Sequence, residues 1–172
     1  MKIYLIGLPG SGKSTLGKQL ASVLNLTFID LDEAITARAG LTIPELFQQQ
    51  GETYFRELEA SLLRETSANE NFVMATGGGT SCFYEGISFM NSQGVTVYLD
   101  VDVATIASRM KESEIAGRPL LNSQTVEDLI IRLKSLHDQR HVYYGQSKIR
   151  LSGNALRVED ILAALELIQS KK

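Results

Sequence analysis

The sequence predicts a three-layer α/β fold, a five-stranded parallel sheet with helices on both faces. Three observations carry this expectation. Strand-like and helix-like segments alternate along the chain, the pattern that stacks a parallel sheet between helices. A glycine-rich loop at residues 7–14 stands directly between the first strand and the first helix. The run Val95 to Leu99, Val-Thr-Val-Tyr-Leu, is β-branched and aromatic, as a strand requires. The 172 residues suit one domain, 1–172, with enough length for a real core.

Strands are expected at 2–6, 26–29, 72–75, 95–99 and 148–151, and helices at 14–24, 31–39, 43–50, 52–67, 103–111, 125–141 and 158–169. In the first helix Leu16, Leu20, Val23 and Leu24 recur at helical spacing. Thr42 ahead of Ile43 and Pro44 marks a helix start, since proline is tolerated in a first turn. Thr125 ahead of Glu127 and Asp128 marks another. Val126, Leu129, Ile130 and Leu133 then form one apolar stripe, and Ile161, Leu162, Leu165 and Ile168 form the last. Ligands of such sheets bind beyond the carboxyl ends of the strands. Residues 7–14, 30–32 and 76–79 are therefore expected to meet at one edge. Residues 112–124 are aperiodic between two good helices, and a loop of that length in a compact domain is usually functional or disordered.

Composition narrows the function. Hydrophobic residues make up 44% and charged residues 22%, ordinary for a globular domain. A net charge of −3 without any Lys/Arg run argues against a nucleic-acid partner. Cys82 is the only cysteine, so no intramolecular disulfide or cysteine metal site is available. No stretch approaches a membrane span, and the N-terminal apolar run is too short for a signal segment. A cytoplasmic location is expected.

The chemistry concentrates in four places. Residues 7–14 read G-x-x-x-x-G-K-S between strand and helix, the context this phosphate-binding motif needs. Its glycines let backbone N–H groups turn toward phosphate oxygens, and the helix N-terminus adds its positive end. Lys13 would reach the β- and γ-phosphates, and the Ser14 hydroxyl would ligate Mg²⁺. Asp30 and Asp32 follow the second strand. One carboxylate would serve Mg²⁺ or its waters and the other a substrate hydroxyl, unless both only cap the next helix. Arg56 could present its fork to a carboxylate or phosphate, or simply pair with Glu59 on a solvated helix face. Arg118, in the aperiodic loop, could neutralise a transferring phosphoryl group or face solvent. His137 and His141 sit at i, i+4 without an evident third ligand, so a metal reading is not favoured. Tyr4, Tyr98 and Tyr143 read as packing residues.

Together these segments resemble one family. Phe28-Ile29-Asp30-Leu31-Asp32, Ile43-Pro44-Glu45-Leu46-Phe47 and Gly51-Glu52-x-x-Phe55-Arg56-x-x-Glu59 follow the glycine loop. Thr76-Gly77-Gly78-Gly79, Arg118-Pro119-Leu120-Leu121 and Arg140 complete the series. Their order and spacing are similar to those of shikimate kinases, over nearly the whole chain. The resemblance implies a P-loop nucleoside-monophosphate-kinase-like fold, with substrate-binding helices in about 31–67 and a lid at about 112–124. It implies transfer of the ATP γ-phosphoryl group to the 3-hydroxyl of shikimate, with Mg²⁺. Gly10, Ser11, Gly12, Lys13, Ser14, Thr15, Arg109 and Arg118 would bind the nucleotide, with Arg109 stacked on adenine. Asp32, Arg56, Gly77, Gly78, Gly79 and Arg140 would bind shikimate, the two arginines gripping its carboxylate. Lys13, Asp32 and Arg118 would carry catalysis, and Ser14 and Asp30 would serve the metal. A monomer is the family expectation.

The chain departs from the family after Arg140, where His141-Val142-Tyr143-Tyr144-Gly145 lacks the usual proline and glutamate, and at the short loop Ser152-Gly153-Asn154. A gluconate kinase would show a histidine-rich segment where Glu33-Ala34-Ile35 follows Asp32. An adenylate kinase would lack the Gly77–Gly79 strand end. A non-catalytic nucleotide sensor would have no need to keep Lys13, Ser14, Asp32 and Arg118 together.

Overall fold

The computed structural model describes residues 1–110, 115–121, 123 and 125–170. Strands β1 (Lys2–Ile6), β2 (Thr27–Asp30), β3 (Phe72–Ala75), β4 (Val95–Asp100) and β5 (Ile149–Ser152) form one sheet in the order β2-β3-β1-β4-β5. Every pairing is parallel, with Leu5 opposite Ala75 on one side and Val97 on the other. In β1 side chains alternate between faces, as the period of two demands. Tyr4 and Ile6 join one core with Phe72, Met74 and Tyr98, while Ile3 and Leu5 join a second with Val73, Val97 and Leu99.

Helices α1 (Lys13–Leu24) and α7 (Val158–Gln169) cover the second core through Leu16, Leu20, Ile161 and Leu165. Helices α2 (Leu31–Ala39), α3 (Ile43–Thr66), α4 (Gly86–Gln93), α5 (Val103–Arg109) and α6 (Val126–Tyr144) cover the first. Helix α3 starts at a reciprocal cap: the Glu45 N–H donates to Thr42 Oγ1, and the Thr42 N–H donates to Glu45 Oε2. It is interrupted at Gly51, whose φ of 83° and ψ of 171° lie outside helical space. The expected pair of helices at 43–50 and 52–67 is therefore present, the two joined across a kink at Gly51.

Three differences from the sequence reading have physical causes. Helix α4 was not anticipated. Its sequence, Gly-Ile-Ser-Phe-Met-Asn-Ser-Gln, carries weak helix formers, and Tyr84 and Glu85 before it take left-handed φ of 48° and 57°. Helix α6 runs to Tyr144 rather than 141, because buried Tyr144 extends its inward stripe by one turn. Helix α5 stops at Arg109, where Met110 turns extended. Of the expected lid at 112–124, residues 112–114, 122 and 124 lie outside the described residues. Within the described part, Pro119–Leu121 form a 3₁₀ turn whose Leu121 is buried in the first core.

Candidate active site

The carboxyl edge of the sheet brings residues 7–14, 30–32 and 76–79 around two adjoining cavities. The larger is about 800 Å³ and is lined by residues 10–16, Asp30, Asp32, Arg109, Arg118 and the segment 156–159. Gly12 caps α1 in a left-handed conformation with no side chain of its own, leaving the first helical N–H groups directed at this cavity. Lys13 is 7% exposed, and its Nζ donates to the Gly7 and Leu8 carbonyls at 2.9 and 2.7 Å. Burial, reinforced by the Arg118 charge, lowers its pKa to about 7. The Ser14 hydroxyl donates to Asp30 Oδ2 at 2.6 Å. The other oxygen of Asp30 accepts from the Asp32 and Glu33 N–H groups. Asp30 therefore caps α2 and presents an oxygen beside Ser14 at once; the two readings of this residue are not exclusive. Arg109 donates to the Asn154 carbonyl, tying α5 to the β5–α7 loop across the cavity rim.

The smaller cavity is about 70 Å³. Arg56 and Glu59 are buried within its wall, at 5% and 2% exposure. Arg56 Nη1 donates to Glu59 Oε2 at 2.9 Å, and its Nε and Nη2 lie 3.3 and 3.2 Å from Glu52 Oε1. Thr80 Oγ1 donates to the second oxygen of Glu59 at 2.6 Å. The guanidinium also lies 5.0 Å from the Phe55 ring and 4.5 Å from the Phe83 ring. The i, i+3 pair read as a solvated alternative exists, but it is desolvated and faces the site. That burial is a correction to the expectation of a solvent face.

The Gly77–Gly79 turn explains why three glycines follow β3. A Cβ on Gly77 would stand 2.6 Å from Glu59 Oε1 and 3.1 Å from Asp32 Oδ1. One on Gly78 would stand 2.7 Å from the Pro9 ring and 3.1 Å from Arg140 Nη1, and one on Gly79 would stand 2.6 Å from Arg56 Nη1. Each glycine clears the space that one group of charged side chains occupies. Arg140, delivered by α6, is 6% exposed and makes no ion pair among the described residues. Asp32 and Arg118 line both cavities. Burial, with Glu59 and Asp30 nearby, raises the Asp32 pKa to about 6.

Every residue put forward from the sequence for catalysis, nucleotide, substrate or metal binding lines one of these two cavities, and the histidine pair does not. His137 and His141 stack at 5.8 Å on an exposed part of α6, and no cluster of three or more metal-type ligands occurs among the described residues. Cys82 is partly buried, and burial pushes its thiol up to about 11, so it stays protonated. Sequence reasoning missed the apolar wall of the small cavity, Ile43, Phe47 and Phe55, together with Pro9 and the inward role of Glu59. The signal for Glu59 was present, since it sits three residues after Arg56 in the segment Gly51-Glu52-x-x-Phe55-Arg56-x-x-Glu59. Only burial separates an internal pair from a surface one.

A sheet-edge glycine loop serving a nucleotide-sized cavity, joined to a small cationic cavity through one carboxylate and one arginine, defines a P-loop phosphotransferase for a small acidic acceptor. The shikimate kinase family model matches residues 9–169. A shikimate kinase of Aquifex aeolicus is 40% identical over 96% of this chain and 96% of its own length. The crystal structure of the Bacteroides thetaiotaomicron shikimate kinase superposes with a TM-score of 0.86 at 36% identity, covering 99% of this chain and 97% of that one. A shikimate kinase from Acinetobacter baumannii, solved in complex with shikimate, gives 0.89 at 33% identity, over 99% and 94%. The chain belongs to the shikimate kinase family, and its reaction is the ATP-dependent phosphorylation of shikimate.

Proposed function

We propose that the chain acts as one P-loop kinase domain over 1–172, transferring the γ-phosphoryl group of ATP to the 3-hydroxyl of shikimate through the residues named above. The observation that carries this assignment is that Asp32 and Arg118 are common to the two cavities. The acceptor hydroxyl meets Asp32, which when ionised only accepts hydrogen bonds and can take up the hydroxyl proton as the new O–P bond forms. Lys13 and Arg118 stabilise the charge on the transferring group, and Arg118 comes from the described part of the lid segment around 112–124. The backbone N–H groups of residues 10–15 hold the phosphates, and Arg109 meets the base. Arg56 and Arg140, with the N–H groups of Gly78 and Gly79, grip the shikimate carboxylate at the other end.

Mg²⁺ suits the pair of hard oxygens on Ser14 and Asp30, which stand 2.6 Å apart at the phosphate end of the large cavity. An ion that takes few protein ligands and keeps waters and phosphate oxygens is compatible with two such donors. It supplies charge neutralisation on the phosphates when bound. Monomeric action in the cytoplasm completes the reading, because both cavities are built from one chain and ATP is available there.

A coupled ADP-release assay on shikimate, its methyl ester, gluconate and nucleoside monophosphates tests the assignment. Shikimate should turn over, the ester should lose most of its kcat/KM, and the others should be poor. Equal kcat/KM for acid and ester would remove the carboxylate clamp. Nucleotide binding without turnover on any acceptor would favour a sensor.

A further inference from the structure

We propose that Tyr144 is a positioning residue for the acceptor site, its hydroxyl pinning the Gly78 carbonyl so that the glycine turn and Arg140 meet the acceptor carboxylate together. This rests on the assignment of Gly78, Gly79 and Arg140 to that carboxylate. Tyr144 ends α6, is 1% exposed, and donates its hydroxyl hydrogen to Gly78 O across 66 residues of chain. Its ring packs against Tyr98 with centroids 5.0 Å apart and planes tilted by 31°, which fixes the direction of the phenol.

Three consequences follow from geometry. The peptide between Gly78 and Gly79 is planar and trans, so its C=O and N–H point opposite ways. Holding the Gly78 carbonyl against Tyr144 therefore aims the Gly79 N–H away from Tyr144. Neither the Gly78 nor the Gly79 N–H has a protein acceptor among the described residues, which leaves both as free donors in the lining of the small cavity. Second, Arg140 precedes Tyr144 by four residues and so shares its face of α6. Its Nη1 lies 3.1 Å from where a Gly78 Cβ would be, and its charge bears on the Tyr144 hydroxyl. Third, the Pro9 ring of the phosphate loop packs against the same glycine, 2.7 Å from that Cβ position. The hydroxyl thus anchors the one glycine against which both the phosphate loop and the arginine pack. Nothing in a packing role requires that hydroxyl, since a phenyl ring would fill the same space.

The test compares hydroxyl deletions at the two packed rings. Tyr144→Phe should raise the KM for shikimate about fivefold to tenfold, the loss expected for one ordinary hydrogen bond, with the KM for ATP within about twofold of wild type. Tyr98→Phe removes a hydroxyl that donates to Asp100 Oδ1 from the same ring pair and should leave the shikimate KM within about twofold. Tyr144→p-aminophenylalanine restores a para N–H donor and should recover most of the lost affinity. A folded Tyr144→Phe protein with unchanged shikimate KM would overturn the inference, as would an equal effect from Tyr98→Phe. If Tyr144→Phe does not fold, the amine variant decides: near-wild-type shikimate KM sustains the inference, and a tenfold rise in a folded protein ends it. Arg140→Ala separates the underlying assignment. If it leaves the shikimate KM unchanged, the clamp itself is wrong; if it raises KM while Tyr144→Phe does not, only the positioning role fails.

Discussion

The two cavities solve the binding of anions in different ways. The nucleotide cavity draws its longest contiguous piece of lining from one stretch, residues 10–16, which offers backbone N–H groups, a helix end and Lys13. The acceptor cavity is an order of magnitude smaller and gathers Pro9, Asp32, Arg56, the Gly77–Gly79 turn, Arg118 and Arg140 from separate elements. Backbone groups can recognise phosphate wherever the local conformation is right, so one short motif suffices. Side-chain recognition of a particular small acid requires charges held in place before the ligand arrives. Arg56 is held by Glu59 and Glu52, whereas Arg140 has no ion pair among the described residues. The pocket therefore contains one guanidinium whose charge is met by carboxylates and one without an ion pair among the described residues, which the proposed function assigns to the acceptor.

The comparison breaks most visibly at Lys13. Lys13→Ala should lower kcat by about 10²- to 10³-fold, the range for removing a preorganised donor from developing charge. The fold should persist, because the ammonium serves the cavity and its burial is a cost reflected in a pKa lowered to about 7. Steady-state kinetics beside a thermal melt check both halves. Near-wild-type turnover in a folded variant would mean that the backbone alone does the work of this cavity.

The two arginines sharpen the contrast within the acceptor cavity. Arg140→Ala should raise the shikimate KM about 10²-fold or more, consistent with losing one partner of a desolvated charge pair. Its stability should move little, since the substitution leaves no protein carboxylate stranded. Arg56→Ala strands Glu59 in the interior and should cost on the order of 3 kcal/mol of stability as well as shikimate affinity. Denaturant titration of the two variants side by side measures the difference; equal stability losses would contradict the unequal pairing.

Asp32 gives a pH-dependent prediction. In the proposed mechanism the ionised form takes up the hydroxyl proton, and the folded pKa of Asp32 is raised to about 6. The kcat/KM for shikimate should therefore fall about tenfold per pH unit below 6, and a limb near pH 4 would instead indicate an unperturbed carboxylate. The smallest effect concerns stability. A raised folded pKa means that the folded chain binds this proton more tightly than the unfolded one. The resulting stabilisation is fully present below about pH 4 and is lost as pH rises through 6. At pH 7.5 ionised Asp32 is thus a net cost beside Glu59 and Asp30. Asp32→Asn should raise Tm by a few degrees there, show little gain at pH 4, and abolish turnover. A variant that melts lower than wild type at pH 7.5 would show that Asp32 is held by favourable contacts instead.

The strand–helix alternation, the parallel sheet and the nucleotide cavity were legible in the sequence because their causes are local. A run such as Val95 to Leu99 must pair and bury, and a strand, three glycines, Lys13 and Ser14 in order leave the backbone few other conformations. Helix α4 was not legible, since a short helix of weak formers is stabilised by burying Ile87 and Met90 rather than by its own propensity. The same limit divides the active site. The identity of Asp32, Arg56 and Arg140 could be read from motifs, but not that Glu59 turns inward to pair with Arg56, nor that Asp30 caps a helix while meeting Ser14. It was not legible either that the last tyrosine of α6 reaches back to Gly78. These are decisions of burial and of side-chain direction between residues far apart in the chain. Only packing the layers against the sheet determines which charges lose their water and therefore must find each other.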